Sequence, residues 1–299
     1  MRRLLPAILV LLTCTARGAE TASYLDIGVG ARGLAMGGAY TALADDAHSV
    51  YWNPAGLARL EKREIAASHS ELGNSTRHDF LVYAHPTKQA VFAGALTYLN
   101  QDSIAGRDAA GQPIGSYDAS DAAVAFAAGR RAELADFGVS VKYLRSHIAS
   151  TEAQGLAADA GLKRELPAGS GKVVLGAALR NIGPGLKYED QRNDLPLRAA
   201  FGAAYRFTQG HALALELQDG PRGAGMEGGA GGEFKAHEGV FLRLGYTSKS
   251  ASVAGSGFDA ARGLTLGLGL KKDGFSLDYA AQAAGELGST HRFTLAARF

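Results

Sequence analysis

Gly28-Val29-Gly30-Ala31-Arg32-Gly33 carries the glycine spacing of a dinucleotide-binding turn, in which bare backbone approaches a pyrophosphate. That chemistry requires a buried strand before the glycines, a helix after them and an acidic residue about twenty positions on. The stretch before Gly28 is short and polar and more glycines follow, so no nucleotide and no other cofactor is expected. Gly169-Ser170-Gly171-Lys172 is a fragment of a phosphate loop without the first glycine or the hydroxyl residue after the lysine, and reads as a hairpin turn. The eight histidines, at 48, 69, 78, 85, 147, 211, 237 and 291, include no pair four residues apart, and Cys14 is the only cysteine. No metal site is expected from that set. No Gly-x-Ser-x-Gly elbow is present either, so no catalytic residue is assigned and the chain does not read as an enzyme.

What remains is a series of isolated charges among small or apolar neighbours. Lys142, Asp159, Lys163, Arg180, Arg198, Arg206, Glu216, Arg243, Asp278, Arg292 and Arg298 recur where they can point to one side. Burying an unpaired charge is costly, so these groups either form a structural network or hold a polar or carboxylate-bearing ligand. Arg198, Arg206, Arg243, Asp278 and Arg292 are the candidate polar track.

Elements that point alternate residues to opposite sides are needed to gather such charges. Leu197, Ala199, Phe201, Ala203, Tyr205 and Phe207 alternate with Arg198, Ala200, Gly202, Ala204 and Arg206. The same period of two, that of a two-faced strand, runs through 240–247, 264–271, 275–280 and 291–299. One face is large and apolar, and the other mixes glycine, alanine, threonine and single charges. The outer face of a soluble sandwich would be more densely polar. The pattern fits an all-β transmembrane antiparallel barrel better, with large side chains toward lipid and small or polar ones toward a lumen. Segment centres at 67, 81, 95, 125, 141, 159, 176, 202, 214, 231, 243, 267, 278 and 294 give fourteen strands. The alanine-rich first three leave twelve open. Short turns are expected at 86–88, 131–135, 167–171, 208–210, 236–239 and 272–274, and longer external segments at 101–120, 183–194, 219–225 and 248–260. Tyr98, Tyr143, Tyr205, Tyr246 and Tyr279 fall near strand ends, as interfacial girdles do.

Composition agrees. Lys plus Arg is 31 and Asp plus Glu 29, a net charge of +2 without long blocks, which gives no electrostatic case for nucleic acid. The longest apolar run, 4–12, is far short of the roughly 18 residues a spanning helix needs. Glycine, at 40 of 299 residues, is nearly twice its usual ~7%. Arg2 and Arg3 before the 4–12 run, with small residues after it, read as an export signal over 1–18, cleaved after Ala16 or Gly18. Acylation of Cys14 is the competing reading, although Thr13 is a poor residue before a lipidated cysteine.

Residues 19–60 do not alternate, and they carry a resemblance. Arg32-Gly33-Leu34-Ala35-Met36-Gly37-Gly38-Ala39 leads to Ala44-Asp45-Asp46-Ala47 and then Trp52-Asn53-Pro54-Ala55-Gly56-Leu57. This order and spacing resembles the opening of the PorV/PorQ-like families, related to FadL-type outer-membrane transporters of hydrophobic compounds. Asp194-Leu195-Pro196-Leu197-Arg198, Arg243-Leu244-Gly245-Tyr246 and the ending through Arg292-Phe293 to Phe299 look like the same group. The resemblance implies a fourteen-stranded barrel over 61–299 in the outer membrane of a Gram-negative bacterium, with 19–60 folded in the lumen as a partly helical plug. Its motif residues here are Arg32, Gly33, Met36, Gly37, Gly38, Asp45, Asp46, Trp52, Asn53, Pro54 and Gly56. The terminal Phe299, in phase with Phe293 and Leu295, resembles the signal read by barrel-assembly machinery.

Two functions follow from the resemblance. One is passage or binding of hydrophobic or amphipathic small molecules by a monomer in contact with outer-membrane lipid. The alternative is PorV-like docking of an exported protein in type IX secretion. Asn53 before Pro54 fits a helix N-cap followed by proline in the first turn. Asp45 and Asp46 read as turn formers, as ion-pair partners of lumen arginines such as Arg198, Arg243 or Arg292, or as contacts to a ligand or cation.

Overall fold

The computed structural model describes residues 20–299 apart from 74, 109, 223–224, 254–256, 259 and 284–288. The expected export signal and Cys14 lie outside the described residues. The described strands are β1 (Glu64–Glu71), β2 (Thr76–Pro86), β3 (Val91–Arg107), β4 (Pro113–Arg130), β5 (Asp136–Ile148), β6 (Thr151–Ala168), β7 (Gly171–Ile182), β8 (Leu186–Tyr188) and β9 (Gln191–Asn193). They continue with β10 (Arg198–Arg206), β11 (Ala212–Gly220), β12 (Gly225–His237), β13 (Val240–Thr247), β14 (Ser252–Val253), β15 (Gly257–Phe258), β16 (Leu264–Lys272), β17 (Phe275–Ala283) and β18 (Ser289–Arg298).

Fourteen of them close into one antiparallel barrel in the order β1-β18-β17-β16-β13-β12-β11-β10-β7-β6-β5-β4-β3-β2, the count expected from the alternation. First and last strands meet from Glu64↔Arg298 to Glu71↔His291, so the sheet has no free edge. Closure is what allows a sheet to stand in hydrocarbon, because every ladder N–H and C=O is then paired. The side chains are arranged inside out relative to a soluble protein. On β10 and β11 the large apolar Phe201 and Leu215 are each 65% exposed, whereas the charged Glu216 is buried. Leu217, Leu244, Leu266, Phe293 and Leu295 continue this outward apolar belt.

The connections differ from the expected alternation of short and long. Turns at one end are short, as at 87–90, 131–135, 169–170, 207–211, 238–239 and 273–274. At the other end, 101–120 is mostly strand: β3 and β4 continue through it as a projecting hairpin, with a register irregularity between Gln101 and Ile104. Its composition is polar because a hairpin beyond the membrane needs no apolar face. Likewise 219, 220 and 225 belong to β11 and β12, and β5 and β6 are joined by only 149–150. The substantial segments at this loop end are 183–197, containing the β8–β9 hairpin, and 248–263, containing β14 and β15.

Residues 20–63 run through the lumen from the loop end to the turn end. At the top, Thr21 N–H donates to the Asp194 carbonyl at 2.8 Å. At the bottom, Arg63 and Phe299 exchange both backbone hydrogen bonds at 3.0 Å. Between them lie short helical turns, Ser23–Asp26, Ala31–Ala35, Ser49–Trp52 and Pro54–Arg59. Gly30, Gly37 and Gly38, all at positive φ, keep the second of these to little more than one turn.

Candidate functional site

The plug lies close to the wall because the wall has no side chains where the two backbones meet. A Cβ at Gly138 would lie 2.2 Å from the Pro54 carbonyl carbon, and one at Gly161 2.0 Å from Asn53 Oδ1. Gly231 and Gly245 stand in the same way against Met36, and Gly176 against Thr41. A plug glycine reciprocates, since a Cβ at Gly37 would meet the Tyr246 backbone at 2.3 Å, and within the plug a Cβ at Gly56 would meet the Ala44 carbonyl oxygen at 2.4 Å. Much of the glycine excess is thus a contact surface.

Asn53 does three jobs. Its Oδ1 accepts from Ala55 N–H at 3.1 Å and caps the 3-10 turn that starts at Pro54. Its Nδ2 donates to the carbonyls of Thr41, 2.9 Å away in the plug, and Leu162, 3.0 Å away in the wall. Beside it, Trp52 Nε1 donates to the Val29 carbonyl at 2.9 Å, while the indole lies flush against Gly28 and Gly33. A β-carbon at either glycine would come within 3.0 Å of the ring.

Charges hold the middle of the plug. Arg32 donates to both Glu233 oxygens, at 2.7 and 2.9 Å, to Asp45 at 2.6 Å and to the Tyr40 hydroxyl at 3.0 Å. Glu233 also receives Arg243 Nε at 2.7 Å, and Arg243 reaches Asp278 at 2.6 Å. Asp45 completes the chain on Arg206 at 3.0 Å. Burial pushes the Asp45 carboxyl up, but Arg32 and Arg206 overcome it and hold the group well below the usual carboxylate range. Asp46 accepts from the Tyr40 hydroxyl at 2.6 Å and from His48 N–H at 3.1 Å. Burial opposes its ionisation, yet His48 keeps it low; the same contact holds the buried imidazole above its ordinary value. His48 Nε2 lies 3.1 Å from Ser68 Oγ on β1 and so ties this cluster to the wall.

The expected partners of Asp45 and Asp46 are therefore corrected. Neither pairs with Arg198, Arg243 or Arg292; their cations are Arg32, Arg206 and His48. Arg198 is taken by Glu20, at 2.9 Å, and Asp26, at 3.0 Å, near the loop end. Arg206, Arg243 and Asp278 join the central network, while Arg292 stands apart and donates to Ser70 Oγ and the Gly28 carbonyl. The five residues do not form one continuous track. Glu233, the hub, is not marked by the sequence, because β12 is dominated by glycine and has no apolar alternation; its signal is that of one of two acids, with Glu227, in that run.

Two cavities flank the plug. A 720 Å³ vestibule opens at the turn end, lined by Val29, Gly30, Arg32, His48, Phe241 and Phe275 among others. A 220 Å³ cavity at the loop end is lined by Ile27, Gly28, Leu34, Tyr51, Trp52 and Arg180 among others. The segment 28–34 contributes to both linings, Val29, Gly30, Arg32 and Gly33 to the vestibule and Gly28 and Leu34 to the loop-end cavity.

A closed barrel with an apolar belt and a plug filling its lumen is an outer-membrane β-barrel of the Gram-negative type. Residues 14–199 match the model of an uncharacterised protein family, UPF0164, and the chain belongs to that family. No curated protein matches the sequence. Among solved structures the chain is similar to the Ralstonia pickettii toluene transporter TbuX, with TM-score 0.64, 14% identity, and coverage of 91% of this chain and 98% of that one. It is similar to the P. putida toluene transporter TodX, with TM-score 0.62, 11% identity, and coverage of 91% and 99%. A Pseudomonas aeruginosa FadL homologue aligns with TM-score 0.56 and 11% identity over 95% of this chain and 98% of that one. At these identities the likeness is one of fold.

Proposed function

We propose that this chain passes small hydrophobic or amphipathic molecules through the outer membrane, working as a monomer without cofactor or catalytic residue. The observation that carries the reading is the pair of cavities that share segment 28–34 in their linings. A structural barrel gains nothing from open space on both sides of one plug segment. The loop-end cavity sets aromatic and aliphatic surface beside polar groups, as a small-molecule site does, while the vestibule sets Phe241 and Phe275 among many charged groups. Fold similarity to toluene transporters supports the same class of cargo. Segment 28–34 is held by Trp52 on the Val29 carbonyl, Arg292 on the Gly28 carbonyl, Ala31 N–H on Thr294 Oγ1 and the Arg32 ion pairs, so its movement requires these contacts to release.

The test is uptake of radiolabelled toluene and of a labelled fatty acid by a deletion strain and its complemented parent. Reduced uptake of either class supports passage; equal uptake of both in the two strains sinks it. The plug motif keeps the PorV-like docking role as a second reading. That role predicts loss of surface-exposed cargo protein in the deletion strain, with uptake unchanged.

A further inference from the structure

We infer that the loop-end cavity is a binding site for a small aromatic monocarboxylate, held by Arg180 and Arg292 over the rings of Tyr51 and Trp52. The inference builds on the transport reading by naming a ligand class for one of its two cavities. Arg180 is 3% exposed, and its guanidinium sits 5.4 Å from the Tyr51 ring centre and 5.7 Å from that of Trp52. One nitrogen, Nη2, donates to Gln218 Oε1 at 2.7 Å, while Nε and Nη1 are buried without a partner. Unmet donors on a buried cation are expensive, and ring faces do not satisfy N–H groups pointing along the guanidinium plane.

The placement of Arg180 is costly in a second way. It lies directly across the sheet from Arg198 in the β7–β10 register, and like charges in such a pair repel. Arg198 is neutralised by Glu20 and Asp26, but no described carboxylate comes within ion-pair distance of Arg180 or of Arg292, itself 1% exposed. The acids in the lining are engaged elsewhere. Asp26 serves Arg198 and Lys249, Glu216 accepts from Thr41 N–H and hydroxyl, and Glu227 accepts from Gln218. Among the described residues, the unmet buried hydrogen-bonding capacity in this lining consists of the Arg180 donors Nε and Nη1. It calls for an anionic acceptor that is planar and two-pronged, which a carboxylate is.

Size and apolar lining set the rest of the ligand. The cavity measures 220 Å³, below the roughly 300–1,000 Å³ of drug-sized sites. Tyr51 and Trp52 meet edge to face at 5.0 Å, and with Ile27, Leu34 and Leu72 they offer a ring-sized apolar surface. A single aromatic ring bearing one carboxylate fills this space, whereas a long alkyl chain exceeds it.

Trp52 is the only tryptophan and lines the cavity, so binding can be followed by its fluorescence in the purified full chain. Titration with benzoate is expected to give a saturable change at least tenfold tighter than toluene, which keeps the ring and lacks the carboxylate. Arg180→Gln is expected to weaken benzoate at least tenfold and leave toluene unchanged, with folding confirmed by the heat-dependent gel shift. Toluene binding as tightly as benzoate to the wild-type protein overturns the inference without any variant. So does hexadecanoate binding more tightly than benzoate, or a folded Arg180→Gln protein of undiminished affinity. Benzoate binding as expected with uptake unaffected by deletion removes the transport reading and leaves the site; lost uptake without benzoate binding does the reverse.

Discussion

Arg32 of the plug and Glu233 of the wall, 201 residues apart in sequence, meet as a two-pronged ion pair with N···O distances of 2.7 and 2.9 Å. Glu233 lies between two guanidiniums, because Arg243 approaches the same carboxylate from the wall. Removing Glu233 leaves two buried cations short of an anion, and breaking such a pair costs about 3–5 kcal/mol. The strand ladder does not depend on that carboxylate. Glu233→Ala is therefore expected to loosen the plug inside an intact barrel: conductance in planar bilayers rises and the melting temperature falls. A variant with wild-type conductance and melting would show that the pair does not anchor the plug.

Gly161 tests the close contact of the two backbones. Valine there would drive side-chain atoms into Asn53 Oδ1, where even a β-carbon would be 2.0 Å away. Overpacking of this kind costs about 1–3 kcal/mol. Asn53 is expected to give up its bond to the Leu162 carbonyl, shifting the emission of neighbouring Trp52 to longer wavelength as it gains water. Unchanged emission from a folded Gly161→Val protein would contradict the contact.

The seating of the plug should depend on pH at both ends of the scale. Asp46 is held below its ordinary value, so its contribution is present above the unfolded carboxylate pKa of about 3.9 and is lost as pH falls through the depressed folded value. His48 is held above its ordinary value, so its contribution is complete below the unfolded imidazole pKa of about 6.5 and is lost as pH rises through the raised folded value. Plug seating, followed by Trp52 emission, is therefore expected to be firmest in weak acid and to slacken on the alkaline side. His48→Gln should abolish the alkaline limb and move the acid limb to higher pH, because His48 is what holds Asp46 low; an alkaline limb that persists in that variant belongs to another group.

Leu215 tests which face meets lipid. It is 65% exposed near the middle of β11, next to buried Glu216. Arginine at a barrel's lipid-facing midplane costs about 2–4 kcal/mol. Leu215→Arg is expected to lower the denaturant midpoint for unfolding from lipid vesicles by a corresponding amount. Arginine tolerated there without loss would place Leu215 off the lipid face.

The alternation of large apolar with small or charged residues gives an all-β barrel and a count of fourteen strands, with twelve left open by the alanine-rich first three until closure fixed the number. A strand's period of two records directly which side chains face lipid and which face the lumen. Asn53-Pro54 likewise announced its own capped turn, because a cap is a matter of neighbouring residues. Parity says only that a charge points inward, not at what height or toward which opposite wall. The partners of Asp45, the capture of Arg198 by Glu20 and Asp26, and the hub at Glu233 all join residues from 10 to 201 positions apart. Closure of the barrel around the plug decided these pairs. It also left Arg180 and Arg292 without a carboxylate, since a cavity between two surfaces exists only once both are in place.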